Sequence, residues 1–256
     1  MRRRNFIRGA ALASTAFAVP AVAAAGPEPV DLELVLAVDV SSSISAKEME
    51  LQFQGYADAF RAENIGRRIG SGPVGAIACT LFVWSDADHQ QVLLPWTRLD
   101  GPAAAQGFAS MIDETPRVTG LYTSISGAID FAVRLFGRSP FEGARRVVDI
   151  SGDGIDNAVR SGRTLAQARG EAIERGIVLN GLAILDSDPP LGSAPARRMP
   201  PLDDYYRDSV IGGPGSFLVV AEGFEAFEPA VRRKLAREIA HAPAPAAPLV
   251  ERVAAA

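Results

Sequence analysis

The stretch Leu34-Val-Leu-Ala-Val-Asp-Val-Ser-Ser-Ser-Ile-Ser45 decides the fold. Its first half lies in a run, residues 32–40, whose apolar character is broken only by Glu33 and Asp39. A strand with one wet face alternates apolar and polar residues. A run without alternation marks a strand covered on both faces, as in parallel sheets flanked by helices. The second half turns abruptly to one acid and four serines. Ligands of open α/β sheets collect beyond the carboxyl ends of the strands, so this turn places Asp39 at the binding edge.

Outward from this strand the chain alternates. Residues 46–69 carry Met49, Phe53, Tyr56, Phe60 and Ile65 at roughly helical spacing. Residues 74–84 and 91–96 read as two strands of a hairpin around the polar turn 85–90. Helices are predicted over 102–112 and over 124–136, where Ile125, Ile129, Val133 and Phe136 share a face. A strand over 146–150, a helix over 165–175 stopped by Gly176, and a strand over 177–185 follow. A last strand (217–221) and a last helix (224–239) complete the series.

Strands separated by helices of this length require parallel crossovers. The expected class is therefore α/β: a doubly wound, mostly parallel central sheet with one antiparallel edge strand and helices on both faces. No repeat or second core divides residues 30–240, which read as one domain. Residues 187–215, rich in proline and glycine, read as a long loop without regular structure. The segment 241–256, opening His241-Ala-Pro-Ala-Pro-Ala-Ala-Pro248, reads as a disordered, solvated tail.

The amino terminus has its own logic. Met1-Arg-Arg-Arg-Asn-Phe-Ile-Arg8 is basic, residues 9–19 are mildly apolar, and Pro20-Ala-Val-Ala-Ala-Ala25 offers small residues at A-x-A spacing. Residues 1–25 read as a secretory signal, too short and weakly apolar for a spanning helix. The paired arginines before Asn5-Phe6-Ile7 fit the twin-arginine type; an ordinary signal with a basic start is the other reading. Cleavage between Ala24 and Gly26 would give a periplasmic or secreted protein without a membrane anchor. The formal charge of −4 would lose four arginines and no acid, leaving about −8. Such a surface does not suit nucleic acid or anionic lipid, which require clustered Lys and Arg. With one cysteine, Cys79, no disulfide can form within the chain, so stability rests on the core.

Three strand ends carry the chemistry. Asp39, Ser41 and Ser43 stand at D-x-S-x-S spacing, so alternate side chains can converge on one point. Thr123 begins a helix in Thr119-Gly-Leu-Tyr-Thr-Ser-Ile-Ser126, and Asp153 follows a strand in Ser151-Gly-Asp-Gly154. All five are hard oxygen donors, which favour Mg²⁺, Mn²⁺ or Ca²⁺ over zinc or copper. Asp156 and Asn157 lie close enough in sequence either to support this set from behind or to cap the segment that follows.

In this order the three loops resemble the von Willebrand factor A domain and its metal-ion-dependent adhesion site, over roughly residues 30–240. The chain's ending, including Tyr205-Tyr-Arg-Asp-Ser-Val-Ile-Gly-Gly-Pro-Gly215, is similar to an exported bacterial branch without an assigned function. The resemblance implies that Ser41, Ser43 and Thr123 approach a divalent cation directly or through water. Asp39 and Asp153 would act through water or hydrogen bonds. It further implies an open coordination position that accepts an acidic side chain of a protein partner, which is binding rather than catalysis. The chain departs from the family at Leu121-Tyr122, where small residues are usual, and at Gly152, where threonine is common.

Rival readings start from the same residues. A phosphatase with an aspartyl nucleophile needs a second acid two residues on, where this chain has Ser41. A serine hydrolase needs a G-x-S-x-G frame and a histidine, yet Ser42 lacks the frame. His89 and His241 sit in polar segments and read as solvated. A metal-assisted hydrolase or a scaffold with an unused metal site remains as an alternative. In the scaffold reading Tyr205, Tyr206 and Arg207 make the partner contact; alternatively the two tyrosines anchor their loop to the domain.

Overall fold

A computed structural model describes residues 26–157, 163–185, 200–240 and 248–255. The central strand is β2 (Leu32–Asp39), every residue of which is buried. Leu32, Leu34, Leu36 and Val38 enter one apolar cluster, and Val35 and Ala37 enter another on the opposite face. Both faces are therefore dry, which is why the run does not alternate.

The main sheet has seven strands. In spatial order they are β4 (Gln90–Leu99), β3 (Ile77–Trp84), β2, β6 (Arg146–Gly152), β7 (Ile177–Ile184), β8 (Phe217–Ala221) and β9 (Leu249–Val253). All pairings are parallel except the predicted hairpin, where β4 runs antiparallel to β3 and forms one edge. A separate parallel pair joins β1 (Glu28–Val30) to β5 (Phe141–Gly143). Helices α1 (Ala46–Arg61), α2 (Glu63–Ile69), α3 (Pro102–Asp113) and α7 (Phe227–Ile239) cover one face. The other face is covered by α4 (Ile125–Phe136) and α5 (Leu165–Glu174). The sheet, its single antiparallel edge and the two helical layers are those expected. No helix among the described residues is long and apolar enough to cross a membrane.

Three expectations are corrected. The predicted helix over 46–69 breaks at Ala62, whose backbone is extended (φ −62°, ψ 123°). Residues 202–210, placed in an irregular loop, form the helical turn α6 (Leu202–Tyr205) and a π-helical turn, Tyr206–Val210. The tail is not disordered over Leu249–Val253, because β9 covers the open edge of β8 and satisfies its backbone groups. Arg237 adds an ion pair to Glu251 at 2.9 Å. Edge strands bury few side chains, and Val253 alone of β9 is buried, so no periodicity announced it. Residues 1–25, 186–199 and 241–247, which hold the expected signal and parts of the expected loop and tail, lie outside the described residues.

The layer beneath α7 contains buried charge. Lys234 Nζ lies 2.6 Å from Asp149 Oδ1 on β6 and 2.7 Å from Glu238 Oε1 one turn on. All three residues are buried. Asn180 Nδ2 donates to Glu238 Oε1 at 2.9 Å, and Phe217 N donates to Asn180 Oδ1 at 3.1 Å, so the cluster ties α7 to β6, β7 and β8. Removing the cation alone strands two buried carboxylates. Lys234→Met should therefore cost about 3–5 kcal/mol in urea unfolding; a loss below about 1 kcal/mol would show that the acids are neutral in the native state.

Candidate metal centre

The first loop is set by Asp39. Its carboxylate is fully buried at the end of β2, and Oδ1 accepts a hydrogen bond from Ser41 N at 2.8 Å, which turns the chain back at once. Ser41 Oγ is 3.1 Å from Ser43 Oγ, and Ser43 Oγ donates to Asp153 Oδ1 at 2.8 Å. The D-x-S-x-S spacing thus brings its three side chains together and reaches Asp153 on the third loop. Ser45 is taken by the helix instead: Glu48 N donates to Ser45 Oγ at 3.3 Å while Ser45 N donates to Glu48 Oε2 at 2.8 Å, a capping box opening α1. Ser42 Oγ points away to donate to Leu121 O at 2.7 Å.

The second loop is held in place at several points. Gly120 N donates to Val40 O at 2.7 Å and Ser124 N to Ser85 O at 2.7 Å. Thr123 is 5% exposed; its N donates to Asn157 Oδ1 at 2.9 Å and its carbonyl accepts from Asn157 N at 2.8 Å. A side chain on Gly154 would stand 3.3 Å from Thr123 Oγ1, so the third loop lies directly against this hydroxyl. Asp156 Oδ1 accepts from Ile125 N at 3.1 Å, placing its charge at the positive end of α4. Asp156 and Asn157 therefore clasp the third loop to the second through bonds to the backbone of Ile125 and Thr123.

The hairpin turn contributes a wall that the sequence does not announce. Ser85 Oγ lies 2.8 Å from His89 Nδ1 and donates to Asp86 Oδ2 at 3.3 Å. His89 is half-buried in this bond, not solvated as its polar surroundings suggested. The serine–histidine pair offers no nucleophile, since Ser85 is fully buried and a side chain on Gly120 would stand 1.9 Å from its Oγ. Gly120 is the one signal in the sequence for so close an approach.

Burial, with the Asp153 charge second, pushes the Asp39 carboxyl up to about 8, against the pull of the Ser41 amide. Its Oδ2 is buried and has no hydrogen-bond partner. An orphaned carboxylate oxygen, with the linked Ser41 and Ser43 hydroxyls and the Asp153 carboxylate on the adjoining loops, belongs to a set of hard oxygen donors that a divalent cation fits. Among the described residues no group of three or more His, Cys, Asp and Glu could hold a metal, so any centre here draws on hydroxyl oxygens as well. Leu121 and Tyr122 stand at the rim, 68% and 58% exposed. A groove of about 420 Å³ opens beside Ser43, between Lys47 and Leu51 of α1 and the turn Glu222–Phe224.

The residues considered for partner contact fall elsewhere. Tyr206 is fully buried and cannot meet a partner, which corrects that expectation. Tyr205 is half-buried, and its hydroxyl accepts from Asp156 N at 3.2 Å. The tyrosines thus anchor their segment onto the third loop, as the other sequence reading had it. Arg207 is engaged by its own segment, at 2.6 Å from Asp204 and 2.8 Å from Asp208.

Solved structures share this fold. Proximal thread matrix protein 1 from the mussel byssus shares 14% identity over 82% of this chain and 47% of its own, with a TM-score of 0.56. A second structure of that protein, with a zinc-occupied MIDAS motif, shares 14% identity over 81% and 45%, TM-score 0.56. The von Willebrand factor type A structure from Catenulispora acidiphila shares 14% identity over 82% and 43%, TM-score 0.53. The chain spans less than half the length of these proteins, and identity this low carries the fold alone. No curated protein matches the chain. A family model described as "Protein of unknown function (DUF1194)" matches residues 29–243, and the chain belongs to this family, whose fold here is that of the von Willebrand factor type A structure.

Proposed function

We propose that the protein is an exported binding module in which a divalent cation, Mg²⁺ or in its place Mn²⁺ or Ca²⁺, is held by Asp39, Ser41, Ser43, Thr123 and Asp153. The partner is a protein that presents an acidic side chain. The buried, unpartnered Oδ2 of Asp39 beside neutral hydroxyl donors is the observation that carries the reading. When bound, the cation would supply an electrophilic coordination position for a further anionic ligand, the two carboxylates balancing its charge and the three hydroxyls adding none. This chain's residues do the rest: Asp39 and Asp153 set the local charge, and the hydroxyls add oxygen donors without adding charge. Leu121 and Tyr122 provide apolar area next to that position, so an acidic residue flanked by an apolar one suits the rim. No step calls for a general base, and the reading is non-catalytic. The pilus adhesin SpaC from Lactobacillus rhamnosus GG, of similar fold (13% identity, 84% of this chain and 31% of that one, TM-score 0.57), is in keeping with it. Export rests on residues 1–25 as a signal, with the twin-arginine pair as its sign.

Mg²⁺ or Mn²⁺ should raise the melting temperature of the purified protein, by the equivalent of about 2.7 kcal/mol at a hundredfold excess over Kd. Asp39→Ala should abolish the shift; a protein that melts identically in chelator and in every divalent ion is not a metal-dependent module. Capture of an acidic partner should require the ion. Leu121→Ala with Tyr122→Ala should weaken capture while leaving the thermal shift intact.

Protons and the cation compete for Asp39. Its folded pKa of about 8 exceeds the ordinary 3.8, so between these values the metal-free native state holds a proton that the unfolded chain has released. Stability in chelator should therefore fall as pH rises from about 4 to about 8, and metal affinity should rise over the same window. Melting curves of the protein and of Asp39→Asn across this range check the sign: the variant should lose less stability with rising pH.

A further inference from the structure

Over Gly152, two buried oxygens face one small space. A side chain on Gly152 would stand 2.9 Å from Asp39 Oδ2 and 2.7 Å from the Tyr206 hydroxyl. Neither oxygen has a hydrogen-bond partner, and both residues are fully buried. One is an obligate acceptor when ionised and the other is a donor. The tyrosine is delivered from the π-helical turn Tyr206–Val210, closed by Ile211 N donating to Tyr206 O at 3.0 Å. Its ring lies across β6 and β7 where both strands carry glycine: a side chain on Gly181 would stand 3.1 Å from Tyr206 Cδ1. Two glycines on neighbouring strands thus clear the path of one ring from the sheet to the carboxylate. Burial and the Asp39 and Asp153 charges push the phenol upward, so it stays a donor.

We propose that Tyr206 is the positioning residue of the metal centre, its hydroxyl donating to Asp39 Oδ2, directly or through one water in the space over Gly152, and fixing the carboxylate that faces the cation. This rests on the metal reading above. An oxygen of an ionised carboxylate has two lone pairs, so Oδ2 can accept from Tyr206 and still face a cation, while Oδ1 accepts from Ser41 N. Groups that orient a metal-binding carboxylate from behind set affinity without touching the ion. Residues 206–210 therefore belong to the centre's support, and Gly152 is the residue that makes room for it.

Mn²⁺ affinity, followed by the loss of the free-ion electron paramagnetic resonance signal, tests this on the full chain. Tyr206→Phe keeps the ring and removes the hydroxyl; it should weaken Mn²⁺ binding about tenfold or more while melting in chelator at the temperature of the unaltered protein. Val210→Ala, a cavity in the same turn, should lower the melting temperature and leave affinity in place. Gly152→Ala should weaken binding as Tyr206→Phe does, and the two together no further. Equal Mn²⁺ affinity of Tyr206→Phe and the unaltered protein overturns the role of Tyr206 alone. Absence of Mn²⁺ uptake by the unaltered protein overturns the metal reading and this one with it. Parallel loss of affinity in Val210→Ala would reduce Tyr206 to a packing residue.

Discussion

A carboxylate held out of water at the end of the central strand is the constraint on which the rest of the site depends. β2 is covered on both faces, so Asp39 cannot turn to solvent. Burying an ionised group without full compensation is costly, and the chain compensates half of it, through the Ser41 amide at Oδ1. The turn this bond imposes brings Ser41 and Ser43 together and leads Ser43 to Asp153. The remaining oxygen has no hydrogen-bond partner, and a donor from Tyr206 or a cation would offset that cost. Sites of this kind sit below the stability optimum because the unpaired group is what binds.

The loops around Asp39 are held to one another by backbone bonds and by side chains that bond the neighbouring loop's backbone. Thr123 and Asn157 exchange two hydrogen bonds, Asp156 anchors on the first turn of α4, and Ser42 and Gly120 tie the second loop to the first. Rigidity of this sort suits a centre that must keep several oxygens at fixed separations. It leaves Leu121 and Tyr122 exposed on a fixed backbone. Fixed, exposed apolar side chains bind without the entropy cost of ordering a loop.

β6 links this centre to the second buried charge cluster. Asp149 meets Lys234 under α7, and Asp153 meets Ser43 just beyond the end of the same strand. The last helix and the third loop therefore depend on one strand's register with β2, which pairs Val38 with Ser151. Lys234 lies in a helix whose spacing reads as amphipathic, and nothing local tells that its charge faces inward. Buried ion pairs fix a helix's seating more than they add stability.

Legibility follows the range of the interactions. Continuous apolar runs fixed β2, β3, β6, β7 and β8, and the turn 85–90 fixed the antiparallel edge, because periodicity is a local consequence of which faces are dry. The capping role of Ser45 and the convergence of Asp39, Ser41 and Ser43 are equally local, set by dihedral angles over five or six residues. Edge strand β9 and the short pair β1–β5 bury too little to leave a pattern. Tyr206 looked like a surface anchor because aromatic residues beside charges often are. Its burial depends on glycines at 152 and 181, far away in the chain. The sequence by itself determined the parallel sheet, its binding edge and the oxygen character of the candidate centre, since each is written in short-range patterns of polarity. Tertiary structure alone decided which groups stand near Asp39, how His89 and Lys234 are satisfied, and where Tyr206 points, since those contacts join segments that only packing brings within reach.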